Sequence, residues 1–246
     1  MDTMIRIGVL TPHGVPGPEV EFAAMAPGRL ATRVVRVTAE ASGRLPSAAA
    51  LDELTAATAA PVLERAAGQL LTGPVDVIGY ASTTSAYTIG FDAEMTMTAR
   101  LSQLTGRPVA ATCASAVQAL RVLRLERVAL IGAPWFDPKF NELGAAYFAS
   151  QGFDVVSSES AGLSHDPAAI EPAAVTAWIS RHLADSAQAI FIGGNGFRAA
   201  GAIEALEAST GRLVLTSNQV LLWQLLAGAD GSFVIEGYGR LFTRKP

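Results

Sequence analysis

Short apolar, β-branched runs alternate along the chain with longer stretches of helical spacing, and polar or glycine-rich corners end most of the runs. The clearest is Pro74-Val75-Asp76-Val77-Ile78-Gly79-Tyr80-Ala81-Ser82-Thr83-Thr84-Ser85, which stops abruptly in a row of hydroxyls. An apolar run of this length predicts a buried strand, and a Ser/Thr cluster cannot continue it. The second half repeats the layout, with Ala189-Ile190-Phe191-Ile192 running into Gly193-Gly194-Asn195-Gly196-Phe197-Arg198. In open α/β sheets, ligands sit beyond the carboxyl ends of the strands. Two matching corners, one per half, therefore predict one cleft between two similar lobes.

Besides the central run, strands are predicted over residues 4–10, 32–37, 108–112, 127–131, 153–157, 189–192 and 213–215. Helices are predicted over 19–26, 49–71, 91–104, 114–125, 138–151, 166–184, 199–208 and 219–226, and the tail from 231 reads as irregular or a short helix. Pro18 suits a first helical turn, Gly106 and Gly152 close two helices, and Thr216-Ser217-Asn218 caps the last. Between the first strand and the first helix, Thr11–Pro18 carries three prolines and two glycines, which is loop chemistry. Strands alternating with helices give an α/β, doubly wound parallel arrangement.

Half of the 246 residues are hydrophobic and 16% are charged, so a substantial core can be buried. The net charge is −4 with no Lys/Arg cluster, which argues against a nucleic-acid partner. No apolar run approaches the ~18 residues of a membrane span, and no signal-peptide layout opens the chain. A soluble, cytoplasmic protein is expected. Cys113 is the only cysteine, so intramolecular disulfides are excluded and a cysteine-based metal site is not expected.

Six stretches carry a family likeness. They are Ile7-Gly8-Val9-Leu10-Thr11-Pro12, Asp76-Val77-Ile78-Gly79-Tyr80-Ala81-Ser82-Thr83, Arg127-Val128-Ala129-Leu130-Ile131-Gly132-Ala133-Pro134-Trp135, Ala189-Ile190-Phe191-Ile192-Gly193-Gly194, Thr216-Ser217-Asn218-Gln219-Val220-Leu221-Leu222-Trp223 and Gly237-Tyr238-Gly239-Arg240-Leu241-Phe242. In this order they resemble the aspartate/glutamate racemase superfamily, in the branch of maleate cis–trans isomerases and arylmalonate decarboxylases. The resemblance implies two pseudo-symmetric lobes, each a mainly four-stranded parallel sheet flanked by helices, with the active site between them. On this plan residues 1–112 plus 217–246 form the first lobe and 113–216 the second. It further implies isomerase or carbon–carbon lyase chemistry on a small maleate- or malonate-like carboxylate, with no cofactor, no metal and a homodimeric assembly.

Most such proteins carry one cysteine per lobe at the end of the central strand, and the decarboxylases keep only the second. Here these positions fall on Ser82 and Gly194, while Cys113 follows a different strand and reads as a small core residue. A non-cysteine acid or base is therefore expected. The alternatives are a carboxylate-binding protein that has lost the chemistry, or a member with new hydrolase or lyase chemistry.

His13 and Ser82 are the candidates for that chemistry. His13 lies where the family puts a substrate-binding polar residue, and imidazole can replace a thiol as acid or base; the plain alternative is a solvated loop histidine. A serine nucleophile needs a base, and none lies near Ser82 in sequence. Ser82, Thr83 and Thr84 with their N–H groups suit an oxyanion, or they cap the following turn. Gly194, Asn195 and Gly196 form the facing corner, as substrate contacts or as a plain glycine turn. The resemblance adds Pro12 and Trp135 to the substrate site. Trp135 stands where relatives hold a carboxylate-binding tyrosine; its indole can donate, or it packs in the core. His165 and Arg198 are secondary candidates, and Glu19 and Glu21 read as carboxylates at a helix start.

Overall fold

Among the described residues, eight parallel strands build two four-stranded sheets of identical order. The computed structural model describes residues 4–38, 45, 50–229 and 234–244. In the first sheet β1 (Ile5–Thr11), β2 (Leu30–Arg36), β3 (Val77–Tyr80) and β4 (Val109–Ala111) run in the order β2-β1-β3-β4. In the second, β5 (Arg127–Gly132), β6 (Asp154–Ser160), β7 (Ala189–Ile192) and β8 (Leu213–Thr216) run in the order β6-β5-β7-β8. Strands β3 and β7 are buried at every residue. A parallel strand covered on both faces has no polar side to present, which is why both read as continuous apolar runs.

Ten α-helices occur among the described residues: α1 (Pro18–Met25), α2 (Leu51–Ala57), α3 (Ala60–Leu70), α4 (Thr83–Ile89), α5 (Phe91–Thr105), α6 (Thr112–Val122), α7 (Lys139–Ala149), α8 (Pro172–His182), α9 (Ile203–Thr210) and α10 (Ser217–Gly228). Three sequence expectations are corrected. The helix expected over 49–71 is two, because Pro61 must sit in a first turn and forces a restart at Ala60. Its expected start at residue 49 lies outside the described residues, as does the start of the tail at 231. The helix expected over 166–184 is a 3-10 turn, Pro167–Ala169, followed by α8, with Pro172 setting the break. The hydroxyl row after β3 is helical: Ser82 is the N-cap of α4, its Oγ accepting from the Ser85 N–H at 3.1 Å. Smaller shifts are a 3-10 turn at Ala200–Ala202 ahead of α9 and the start of α10 at Ser217, behind a Thr216–Gln219 capping box.

Helix α10 follows β8 in sequence but lies on the first sheet. A Cβ at Gly79 of β3 would come within 3.1 Å of Leu225 and 3.3 Å of Leu221, so glycine lets the helix settle on the strand. Leu241, in the closing 3-10 turn Arg240–Thr243, packs instead with Leu213, Leu215 and Trp223. The two halves also meet through α4, α5 and α7. Gly144 of α7 receives the Tyr87 ring, which a Cβ there would approach to 2.7 Å, and the Tyr147 hydroxyl donates to buried Glu94 of α5. Cys113 is fully buried, and desolvation pushes its thiol well above the ordinary range, so it is an inert core residue. None of the described helices is long and apolar enough to cross a membrane.

Candidate active site

The segments after four strands, two from each sheet, converge on one cavity. The loop after β1 contributes His13, Gly14 and Val15; the start of α4 contributes Thr83; the loop after β5 contributes Trp135 and Phe136; the corner after β7 contributes Gly194, Asn195 and Gly196. With His165 and Pro167 they enclose a cavity of about 210 Å³. Six of the nine sequence-designated site residues line it: His13, Thr83, Trp135, Gly194, Asn195 and Gly196. Pro12, Ser82 and Thr84 are buried behind this lining.

Folding brings an imidazole to Ser82 that the neighbouring sequence lacks. His13 Nε2 stands 2.8 Å from Ser82 Oγ and 3.4 Å from Thr84 Oγ1. Ser82 Oγ donates to Ser85 Oγ at 2.8 Å, and the Tyr80 hydroxyl donates to the same oxygen at 3.3 Å. With its proton given to Ser85, Ser82 Oγ accepts from Nε2–H, which leaves the lone pair of the neutral ring on Nδ1. Burial, aided by the nearby Arg36 guanidinium, depresses the His13 pKa to about 4, so the ring is neutral at pH 7. Arg36 itself is paired with Glu19. Ser82 is fully buried behind the imidazole and is no exposed nucleophile in this arrangement.

The facing corner differs from expectation in two contacts. The Gly194 N–H is spent within the protein, donating to Thr83 Oγ1 at 3.0 Å and Ser217 Oγ at 2.9 Å. It stitches the two corners together and is not a free oxyanion donor. The Asn195 amide points inward, donating to Thr112 Oγ1 at 3.2 Å and Asn218 Oδ1 at 2.8 Å. What the corner offers a ligand is backbone: Asn195 and Gly196 open a 3-10 turn, whose first N–H groups have no acceptor within it. Gly194 has φ 107, and a Cβ there would sit 2.9 Å from Ala133 Cβ, so a side chain is excluded. Trp135 meets Phe197 edge-on, ring centroids 6.0 Å apart, and forms with Phe136 and Val15 an apolar wall.

Sequence reasoning missed the polar layer beneath. Thr112, Ser217 and Asn218 stand just past β4 and β8 and repeat the strand-to-polar-corner pattern, but Thr112 read as a strand end and Ser217 and Asn218 as cap residues, so none drew a functional reading. Glu21 is not a surface carboxylate; it is buried against this layer. The first-lobe loop packs on it as well. A Cβ at Gly17 would lie 2.2 Å from the Asn195 carbonyl oxygen and 2.7 Å from its carbon, backbone atoms that cannot rotate away. Gly17→Ala is therefore expected to lower stability by about 1–3 kcal/mol, measured by denaturant unfolding, through displacement of both loops.

The model of the arylmalonate decarboxylase family matches residues 40–242. The chain belongs to that family. It is also 28% identical over 255 residues to a maleate isomerase of Pseudomonas putida KT2440, covering 99% of both chains. In fold it is similar to the maleate isomerase Iso of Pseudomonas putida S16, solved as a cysteine-to-alanine variant with maleate (TM-score 0.84, 23% identity, 98% of each chain). It is likewise similar to an arylmalonate decarboxylase (TM-score 0.80, 22% identity, 97% of this chain and 99% of that one). The family and these relatives are isomerases and decarboxylases, the enzyme class expected from the sequence. Among the described residues no group of three His, Cys, Asp or Glu side chains is placed to hold a metal ion.

Proposed function

We propose that this family member is a cofactor-independent isomerase or decarboxylase for a small maleate- or malonate-like carboxylate, with His13 in the role that relatives give to a thiol. The observation that carries this is the His13–Ser82 pair at the cavity wall, a neutral imidazole with its orientation fixed from behind. The N–H group of Thr83 at the start of α4 and those of Asn195 and Gly196 opposite hold the carboxylate. For a malonate-like acid the carboxylate C–C bond breaks, carbon dioxide leaves and the electron pair enters an enediolate that these donors stabilise; the α carbon takes its proton from a water held at the free ring nitrogen of His13. For maleate that nitrogen adds to the double bond and the π electron pair enters the same kind of enediolate; the new single bond rotates, and His13 leaves again as the double bond re-forms. The apolar wall of Val15, Trp135 and Phe136 receives the rest of the substrate.

The test is incubation with maleate and with aryl- and alkylmalonates in D2O, followed by proton NMR. Fumarate, a decarboxylated acid or α-deuterium is the expected outcome. A competing reading, a carboxylate-binding protein without turnover, is favoured by the absence of a thiol at both strand ends and by a Gly194 backbone that excludes one. Thermal stabilisation by one of these acids, with no turnover or exchange, would establish that reading and overturn the enzymatic one.

A further inference from the structure

Glu21 takes no part in the assignment above, yet it touches the floor of the second-lobe corner. It lies on α1 and is 6% exposed. Its Oε1 accepts from the Ala200 N–H at 2.7 Å and its Oε2 from Asn218 Nδ2 at 2.7 Å. Asn218 Nδ2 gives its other proton to the Asn195 carbonyl at 2.8 Å, and Asn218 Oδ1 accepts from Asn195 Nδ2 at 2.8 Å. Both protons and the carbonyl of Asn218 are thereby committed, and its amide cannot turn over.

We propose that the Glu21 carboxylate is a positioning residue that holds the corner from Asn195 to Ala200 in the geometry that receives a substrate carboxylate, and that its protonation releases this corner. The inference rests on the carboxylate-binding reading of the cavity. Its basis is a donor count. Two fixed donors, a backbone N–H and an amide N–H, face the two oxygens of Glu21, and only the ionised group accepts fully from both. A protonated acid turns an O–H toward one of them, and a buried donor then loses its partner. The contact would be lost at Ala200 or, through Asn218, at Asn195, and both belong to the corner. Among the described residues, the Arg198 guanidinium and the Tyr238 hydroxyl are the other ionisable groups facing Glu21. Arg198 favours the carboxylate, but desolvation outweighs it and pushes the Glu21 pKa up to about 7. Release of the corner therefore falls near neutral pH.

The test uses the full chain labelled with 5-fluorotryptophan, read by fluorine NMR. It has three resonances, and the Trp135 resonance is identified by its loss in Trp135→Phe. Trp135 rests on Phe197 of the corner, so its resonance is expected to titrate near pH 7 in the wild type. The same transition is expected in His165→Gln, which removes the other imidazole lining the cavity. It is expected to vanish in Glu21→Gln. In Arg198→Asn, which keeps a residue tolerant of the left-handed backbone at φ 54, the midpoint is expected to rise, since a cation favouring the carboxylate is gone. That variant carries the test should Glu21→Gln not fold.

On an active substrate, Glu21→Gln should raise KM about tenfold, the worth of one hydrogen bond, with kcat little changed because His13 is untouched. A wild-type Trp135 signal flat through neutrality, or one that titrates unchanged in Glu21→Gln or Arg198→Asn, would overturn the proposal. The fluorine signal needs no turnover, so a failure of the enzymatic reading leaves this result legible on its own.

Discussion

Replacing His13 by alanine is expected to lower kcat by about 10²–10⁴-fold, the usual worth of a positioned acid–base group. The imidazole lines the cavity, whereas the hydroxyls of Ser82 and Thr84 that orient it are sealed behind it. Ser82→Ala should therefore cost far less, about tenfold, because it removes an orienting hydrogen bond and leaves the base in place. The ordering of the two effects matters more than either size. A serine nucleophile predicts the reverse, with Ser82→Ala as damaging as His13→Ala. The pH profile adds a second check. With a pKa depressed to about 4, His13 is already in its basic form at pH 5, so the acid limb it imposes on kcat/KM lies below that. Single-substrate kinetics of both variants decide the matter; His13→Ala retaining more than about a tenth of the activity would remove His13 from the chemistry.

The same site shows what a sequence can and cannot disclose. Strands β3 and β7 are buried on both faces and end in chemically distinct corners, so run length and punctuation alone located both walls of the cavity. His13 and Ser82 lie 69 residues apart and are joined only by the parallel pairing of β1 with β3, which sets Leu10 beside Tyr80. No spacing rule reports that contact. Glu21 was legible as a helix-start carboxylate, which it is, but its burial depends on α10 returning to the first sheet with Asn218. The Asn195 amide and Gly194 N–H were read as ligand donors because their partners, Thr112 and Ser217, sit past other strands. A polar corner discloses that donors are present. Which of them are already spent is a property of the assembled layer.

Between about pH 5 and 7, stability is expected to fall as pH rises, and Glu94→Gln is expected to remove most of that fall below the histidine range. Glu94 is fully buried on α5 and accepts from the Tyr147 hydroxyl of α7, a contact between the two halves. Desolvation raises its pKa from 4.5 to about 7, although Tyr147 and the Cys113 and Ala114 N–H groups favour the charged form. Within that window the native protein holds a proton that the unfolded chain has released, so raising the pH favours unfolding. The slope is about 1.4 kcal/mol per pH unit for one group. Glu21 shifts to the same value and adds a second contribution of the same sign. His13 acts oppositely: depressed from 6.5 to about 4, it is neutral when folded and protonated when unfolded, so it favours the native state as pH rises toward 6.5. Two carboxyls against one imidazole leave a net fall of about 1.4 kcal/mol per unit up to pH 6.5, easing above it as both carboxyls begin to ionise in the native state. Glutamine reproduces the neutral acid and can still accept from Tyr147, so in Glu94→Gln the remaining contributions of Glu21 and His13 cancel and stability is flat from pH 5 to 6.5. The integrated gain at pH 7 is on the order of 3 kcal/mol. Urea unfolding of both proteins across this range checks it; parallel curves would mean that the Glu94 carboxyl is ionised in the native state throughout and that the Tyr147 contact is a charged one.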